Sequence, residues 1–271
     1  MSKVLYLWLI EKKRNEIVVF LNMSKLRFGL IGQSLQHSFS QQFFTDFFLK
    51  NYTDGSYENL EFQSIDSLQS FFKEAVYNYN GLNVTIPYKA AVIPFLDQID
   101  EEAKRIGAVN TIKVVSGRLI GYNTDVFGFR QSIKPFLTNK HEKAMVIGTG
   151  GASKAIEFVL KKIGLDVLFI SRHSKNSDHI FTYEDINHYM VDACKLVVNC
   201  TPVGSYPSIN DQVFFPYEHL SEDHLVIDLI YNPSKTVFLE KSETQGAQIL
   251  NGSSMLREQA MKSWQIWSQK D

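Results

Sequence analysis

The chain has 271 residues, of which 44% are hydrophobic and 21% charged, with a net charge of −1. It is longer than the ~100–200 residues of one typical domain, and its composition is that of a folded globular protein rather than a disordered chain. The balanced charge supplies no global field for nucleic acid or an anionic membrane, so neither is expected as a partner.

The apolar run VLYLWLI (Val4–Ile10) is far below the ~20 residues that span a bilayer. No small-residue cleavage site follows it. MSKLRFGLIG, from Met23, reads as a natural start, so residues 1–22 are expected to be an upstream extension; the alternative is an extra strand over EIVVFL. Leu26–Gly32 is a compact apolar strand. In the helix pattern Ser40–Tyr52, Phe43, Phe44, Phe47 and Phe48 share one face, which reads as core. NLEFQSI is expected as a second strand and DSLQSFFKEAV as a helix with Asp66 at its N-cap. GLNVTIP alternates as a third strand, stopped by Pro87, which has no N–H to donate. YKAAVIPFL and DEEAKRIG read as short helices. Ala108–Asp125 reads as a hairpin around Ser116–Gly117, and a helix follows to about Phe136.

After the polar gap LTNKHEK, the strands AMVIG, DVLFIS, KLVVNC, HLVIDLIY and AQILNG alternate with helical segments. That alternation specifies a parallel sheet with helices on both faces. A last helix, Ser253 to about Gln269, carries Met255, Leu256, Met261, Trp264 and Trp267. The only cysteines, Cys194 and Cys200, flank an apolar run and read as buried thiols or, alternatively, a reactive pair. With no CxxC or HExxH pattern, no metal site is expected. Such cysteine usage suits a reducing, cytoplasmic compartment.

VIGTGGASKA follows a strand and opens a helix. Gly148 allows the tight turn. Gly150 and Gly151 let the backbone approach a pyrophosphate, and Ala152 lies in the helix start with its free N–H groups. Ser153 stands where the fingerprint has its third glycine, but the strand–loop–helix context is that of a dinucleotide site; the alternative is a plain tight turn. The next strand ends in SRHSK, without the acid that grips a ribose 2′-OH. Arg172 and Lys175 suit a 2′-phosphate instead, so NADP(H) is favoured over NAD. Two solvated basic residues are the alternative.

Lys89 lies just past the third strand, at the edge where open α/β sheets bind ligands. Hydride transfer to a carbonyl needs a proton donor, and Asp125 in YNTD is a partner that would keep Lys89 charged and oriented. Taken alone, a lysine there is ordinarily a solvated one.

The series GLNVTIPYK, GAVNT, GYNTD, GTGGASKA and NGSSMLREQA, in this order, strongly resembles the shikimate dehydrogenase family, NADP-dependent enzymes that reduce 3-dehydroshikimate. The resemblance runs from about Lys25 to the C-terminal helix. It implies a two-domain α/β fold with a cleft between the domains. The substrate-binding domain, with a mostly parallel sheet, would cover 23–130 and be completed by the helix at 253–271; a Rossmann-like NADP-binding domain would cover 131–252. It implies reversible reduction of 3-dehydroshikimate to shikimate in aromatic amino-acid (chorismate) biosynthesis. Lys89 and Asp125 would form the catalytic dyad. Ser38 and Ser40 of HSFS would bind the substrate carboxylate; Asn83, Thr85, Asn110, Tyr231 and Gln259 would complete the substrate site. Gly148, Gly150, Gly151, Ala152, Ser171, Arg172, Lys175, Thr201 and Gly252 would face the cofactor, with Gly252 near the nicotinamide.

Three departures stand out. Ser171, Arg172 and His173 replace the family's Asn-Arg-Thr triplet, Ser254 replaces a glycine in NGSSML, and Cys200 replaces a smaller residue in NCTPVG. These are expected to tune affinity. His37, beside Ser38, is expected to be structural. A quinate/shikimate dehydrogenase of broader specificity and a non-catalytic NADP-binding regulator remain alternatives; either a monomer or a homodimer fits.

Overall fold

The computed structural model describes residues 25–36, 38–173 and 178–269; the expected extension over 1–22, its alternative strand, His37 and Lys175 lie outside them. In chain order the first half comprises β1 (Leu26–Gly32), α1 (Phe39–Lys50), β2 (Gly55–Glu61), α2 (Ile65–Asn78), β3 (Gly81–Val84), β4 (Gln98–Ile99), α3 (Glu101–Ile106), β5 (Thr111–Val115), β6 (Arg118–Tyr122) and α4 (Asp125–Ile133). These strands form one sheet, ordered β2-β1-β3-β5-β6-β4. β1 pairs in parallel with β2 and β3, and β4 with β6, whereas β3–β5 and β5–β6 are antiparallel. The β5–β6 hairpin turns at Ser116 and Gly117, both at positive φ (49° and 73°), the conformation that matches strand twist in a two-residue turn.

Several boundaries differ from the expectation. The second strand begins at Gly55, not Asn59, because it zips along the whole of β1 from Leu26↔Gly55 onward; a buried partner outweighs the weak strand propensity of Gly55 and Ser56. The cap of α2 is Ser64, whose hydroxyl accepts from Ser67 N, and Asp66 sits inside the first turn. YKAAVIPFL forms turns and one 3₁₀ turn, Ile93–Phe95, rather than an α-helix. The β3 ladder stops at Val84.

The second half comprises β7 (Lys143–Ile147), α5 (Gly151–Lys162), β8 (Asp166–Ile170), β9 (Ile180–Phe181), α6 (His188–Ala193), β10 (Leu196–Asn199), β11 (Leu225–Asp228), α7 (Val237–Thr244), β12 (Gln248–Leu250) and α8 (Ser253–Ser268). Its sheet is ordered β12-β11-β10-β7-β8-β9, and every ladder is parallel. The strand order reverses between β7 and β10, which puts the ligand crevice beyond the carboxyl ends of those strands.

α8 then leaves the second sheet and returns to the first. Trp267 donates its indole N–H to Ile112 O at 2.9 Å and stacks on Phe28 at 4.6 Å. Phe44 and Phe48 of α1 are buried in the same cluster, so the phenylalanine face is core, as its spacing indicates. α4 bridges the halves: Val126, Phe129 and Ile133 pack with α5 and β7 residues in one continuous core. Among the described residues, no helix is long and apolar enough to cross a membrane.

Candidate active site

A cavity of about 330 Å³ opens at the carboxyl ends of β1 and β3 and is closed on one side by α8. Thr85 N donates to Ile31 O at 2.8 Å, which carries the edge of β3 one residue past its ladder. The chain then turns under local restraint. Tyr88 is buried, and its hydroxyl donates to Phe62 O at 2.6 Å. Lys89 O accepts from Val109 N at 2.7 Å. The Lys89 backbone is thus held from both sides, and its side chain lines the cavity.

Lys89 Nζ lies 2.7 Å from Asp125 Oδ2, with side-chain exposures of 17% and 4%. A pair this buried orients itself, because either charge alone would be costly away from water. Asp125 is the first residue of α4, where the helix N-terminus favours an anion. Asn123 fixes that start: its Oδ1 accepts from Asp125 N and Val126 N, and its amide donates to Ala108 O.

The cavity brings together Ser38, Ser40, Asn83, Thr85, Asn110, Tyr231 and Gln259 with Lys89. These eight residues are scattered over more than two hundred positions, and all the expected substrate-side residues meet at one place. Ser38 Oγ is buried without a hydrogen-bond partner. A buried hydroxyl without a partner costs stability, and Ser38 lines the cavity. Asn83 is different. Its amide nitrogen reaches Asn110 O, Thr111 Oγ1 and Ser263 Oγ, and its Oδ1 accepts from Tyr57. Both its amide protons are engaged inside the protein, which leaves it mainly an organiser of the wall.

That engagement belongs to a buried network absent from the sequence reading. Ser263 of α8 is fully buried and shares hydrogen bonds with Thr111 and Thr124. Asn110 Oδ1 accepts from Thr124 N at 2.7 Å, which turns its amide toward Gln259 Oε1 at 3.2 Å. A serine four residues after Gln259 on an otherwise apolar helix face is the one sequence signal for it. Burial pushes the Tyr231 phenol up, opposed by a Phe39 backbone hydrogen bond.

On the second sheet the glycine loop follows β7. Gly148 has φ 99°, reached most easily by glycine, and Thr201 packs against it closely enough that a Cβ would lie 2.9 Å from the Thr201 methyl. Gly150 is the N-cap of α5. Cβ atoms on Gly150 or Gly151 would meet nothing within 4 Å, so the loop offers an open face bordered by free helix N–H groups, as a pyrophosphate needs. Ser153 is buried and donates to Gly150 O at 2.7 Å; a small residue fills the third glycine position and pins the turn. Ala152 is half-buried beside it. Ser171 N is held by Phe181 O at the end of β8, and Arg172 is exposed there. Gly252 packs so tightly on Leu229 that a Cβ would lie 2.0 Å from Leu229 O.

The family sequence pattern described as "Shikimate dehydrogenase substrate binding domain" matches residues 30–112. A shikimate dehydrogenase (NADP(+)) of Methanosphaera stadtmanae is 36% identical over 260 residues, covering 89% of this chain and 91% of that protein. The chain belongs to the shikimate dehydrogenase family. Solved structures agree with that membership. A family crystal structure in complex with NADP+ superposes with a TM-score of 0.82 at 32% identity, covering 91% of both chains. The Thermus thermophilus enzyme, in complex with NADP(H) and shikimate, gives 0.79 at 30% identity, covering 90% of this chain and 93% of that one. A quinate dehydrogenase from Corynebacterium glutamicum in complex with NAD gives 0.81 at 27% identity, over 90% and 94%.

Proposed function

We propose that this chain catalyses the reversible NADPH-dependent reduction of 3-dehydroshikimate to shikimate, a step of aromatic amino-acid (chorismate) biosynthesis. The observation that carries the reading is the 2.7 Å Lys89–Asp125 pair, whose lysine lines a cavity also lined by Ser38 with its unpartnered hydroxyl. The open glycine loop and Arg172, with no acid at the tip of β8, fit a phosphorylated dinucleotide. NADP(H), when bound, supplies or accepts the hydride.

The chain's own residues do the rest. Ser38 and Ser40 donate hydroxyl hydrogen bonds to the substrate carboxylate. Thr85, Asn110 and Gln259 orient the ring hydroxyls, Tyr231 borders the same pocket, and Asn83 holds the wall. Lys89, as ammonium, gives a proton to the C3 oxygen as charge builds on it, and as neutral amine takes that proton back in the reverse direction. Asp125 keeps the Lys89 amine aimed and balances its charge. On the cofactor side, Gly148, Gly150, Gly151 and Ala152 would hold the diphosphate, Ser171, Arg172 and Lys175 the adenosine end, and Thr201 and Gly252 the nicotinamide half.

The substrate-binding unit is assigned to 23–130 with 253–271, supported by the return of α8 to the first sheet; the cofactor unit is 131–252. A monomer and a homodimer are the two assemblies consistent with this reading. Cys194 and Cys200 are both free, and burial raises both thiols, which suits a reducing cytoplasm. The test is absorbance at the nicotinamide band with shikimate and NADP+, run beside quinate and NAD+. Reduction of NADP+ by shikimate supports the reading. No change with any pair overturns it, and faster turnover with quinate and NAD+ replaces it with the broader-specificity enzyme.

A further inference from the structure

The carboxyl ends of β10 and β11 carry two fully buried polar side chains that the reaction does not use, Asn199 and Asp228. Asn199 Nδ2 donates to Asp228 Oδ1 at 3.1 Å. That bond fixes which way the amide faces: Asn199 Oδ1 then accepts from Thr201 N at 2.9 Å and from Thr201 Oγ1 at 2.7 Å. Thr201 is the residue packed on Gly148 in the glycine loop. The same Asp228 Oδ1 also accepts from Ile230 N at 3.1 Å, the residue before Tyr231 on the cavity wall. Ile230 O in turn accepts from Gly252 N at 3.0 Å. Asp228 Oδ2 is held by the Thr236 hydroxyl at 2.6 Å.

We propose that Asp228 and Asn199 are positioning residues, a buried relay that sets the cofactor-loop residue Thr201 on one arm and the substrate-wall residue Tyr231 on the other. This rests on the NADP(H) and shikimate reading above. A carboxylate with no ion-pair partner among the described residues is an expensive choice for packing alone. It is explained by its three acceptor contacts, because only an acceptor at this point can orient the Asn199 amide and the Ile230 N–H together. Both arms are held by one oxygen, Asp228 Oδ1, so they give the cofactor crevice and the substrate cavity a common anchor.

Burial pushes the Asp228 carboxyl up to about 6, against the lowering effect of its Thr236, Ile230 and Asn199 hydrogen bonds. The titratable neighbours that feel its charge are Cys200 and Tyr217, both themselves raised by burial first and by Asp228 second, so both stay neutral in this range. Protonating Asp228 weakens its grip on Asn199, and the relay loosens as pH falls through about 6.

The experiment uses the full chain. NADP+ affinity is measured by titration calorimetry, and KM for shikimate and for NADP+ by absorbance. Asn199→Ala is expected to weaken NADP+ binding by about five- to tenfold, the weight of an ordering hydrogen bond, with a smaller change in the shikimate KM. Asp228→Ala is expected to raise both KM values. Asp228→Asn, whose amide oxygen accepts from Asn199 and Ile230 more weakly than the carboxylate, as the protonated acid would, recovers only part of that loss. The pH dependence of NADP+ affinity, taken as a ratio of wild type to Asp228→Asn so that the ligand's own phosphate ionisation cancels, carries an ionisation near 6. If Asn199→Ala does not fold by circular dichroism, Thr201→Val, which removes the relayed hydroxyl, is expected to weaken NADP+ binding in its place. NADP+ affinity within twofold of wild type in a folded Asn199→Ala, or in Thr201→Val where that protein does not fold, overturns the relay, as does a flat ratio. A wild-type chain that neither binds NADP+ nor oxidises shikimate overturns the functional reading instead.

Discussion

The two faces of the cleft are built to different standards of completeness. The substrate face is prearranged: a buried ion pair, a hydrogen-bonded network through Asn83, Thr111, Thr124 and Ser263, and an orphaned hydroxyl at Ser38. The cofactor face is open, with Gly150 and Gly151 bordering free space and Arg172 exposed. Prearranged donors lower a barrier because nothing reorganises when charge develops. An open basic edge supplies affinity and selectivity instead. Substitutions on the first face are therefore expected to move kcat or the substrate KM, and those on the second to move cofactor KM alone.

The largest expected effect is at the centre of the first face. Lys89→Ala is expected to lower kcat by ~10²–10⁴, the weight of general acid catalysis, with little change in the NADP+ KM. A variant that turns over at the wild-type rate would end the proton-donor assignment. Next is Ser38→Ala, expected to raise the shikimate KM by about tenfold or more, since a hydrogen bond to a charged group is at stake. It should leave the ligand-free melting temperature unchanged or slightly higher, because the hydroxyl has no partner to lose. A lowered melting temperature with normal KM would show that Ser38 is structural. On the open face, Arg172→Ala is expected to raise the NADP+ KM by several-fold to about tenfold while sparing NAD+; equal losses for both cofactors would break the contrast between the faces.

The smallest effect lies away from the cleft. His141 and His224 sit in matching turns, each ring Nδ1 accepting the backbone N–H three residues earlier, and burial lowers both imidazoles first of all. A lowered folded value means the unfolded chain binds the proton more readily. Stability is then full above the ordinary imidazole value of about 6.5 and declines as pH falls below it. His141 Nε2 is also buried without a partner. Asp228, raised to about 6, acts with the opposite sign. Comparing wild type with His141→Gln in denaturant titrations at pH 7 and pH 5.5 separates the two, and the variant should lose part of the acid sensitivity.

Much of this was legible in the chain. The βα rhythm specified the parallel sheet, because an apolar run bounded by turn residues buries on both faces regardless of its neighbours. The motif segments placed Lys89, Asp125 and the glycine loop just past strand ends, where open α/β sheets bind ligands. Ser116–Gly117 was readable as a turn because a two-residue hairpin demands positive φ. Local pattern suffices wherever the cause lies within a few residues.

What only the folded chain decided are the contacts between distant segments. Whether β2 starts at Gly55 depends on β1, and no local propensity encodes a partner's length. The meeting of Asn83 with Ser263, 180 residues apart, and of Asn110 with Gln259, 149 apart, exists because α8 leaves its own sheet to bury Trp267 against the other one. The Asn199–Asp228 pair arises from neighbouring parallel strands brought into register. A hydrogen bond has a short reach and a strict direction, so residue types can announce that polar chemistry is present, but only packing decides which donor meets which acceptor.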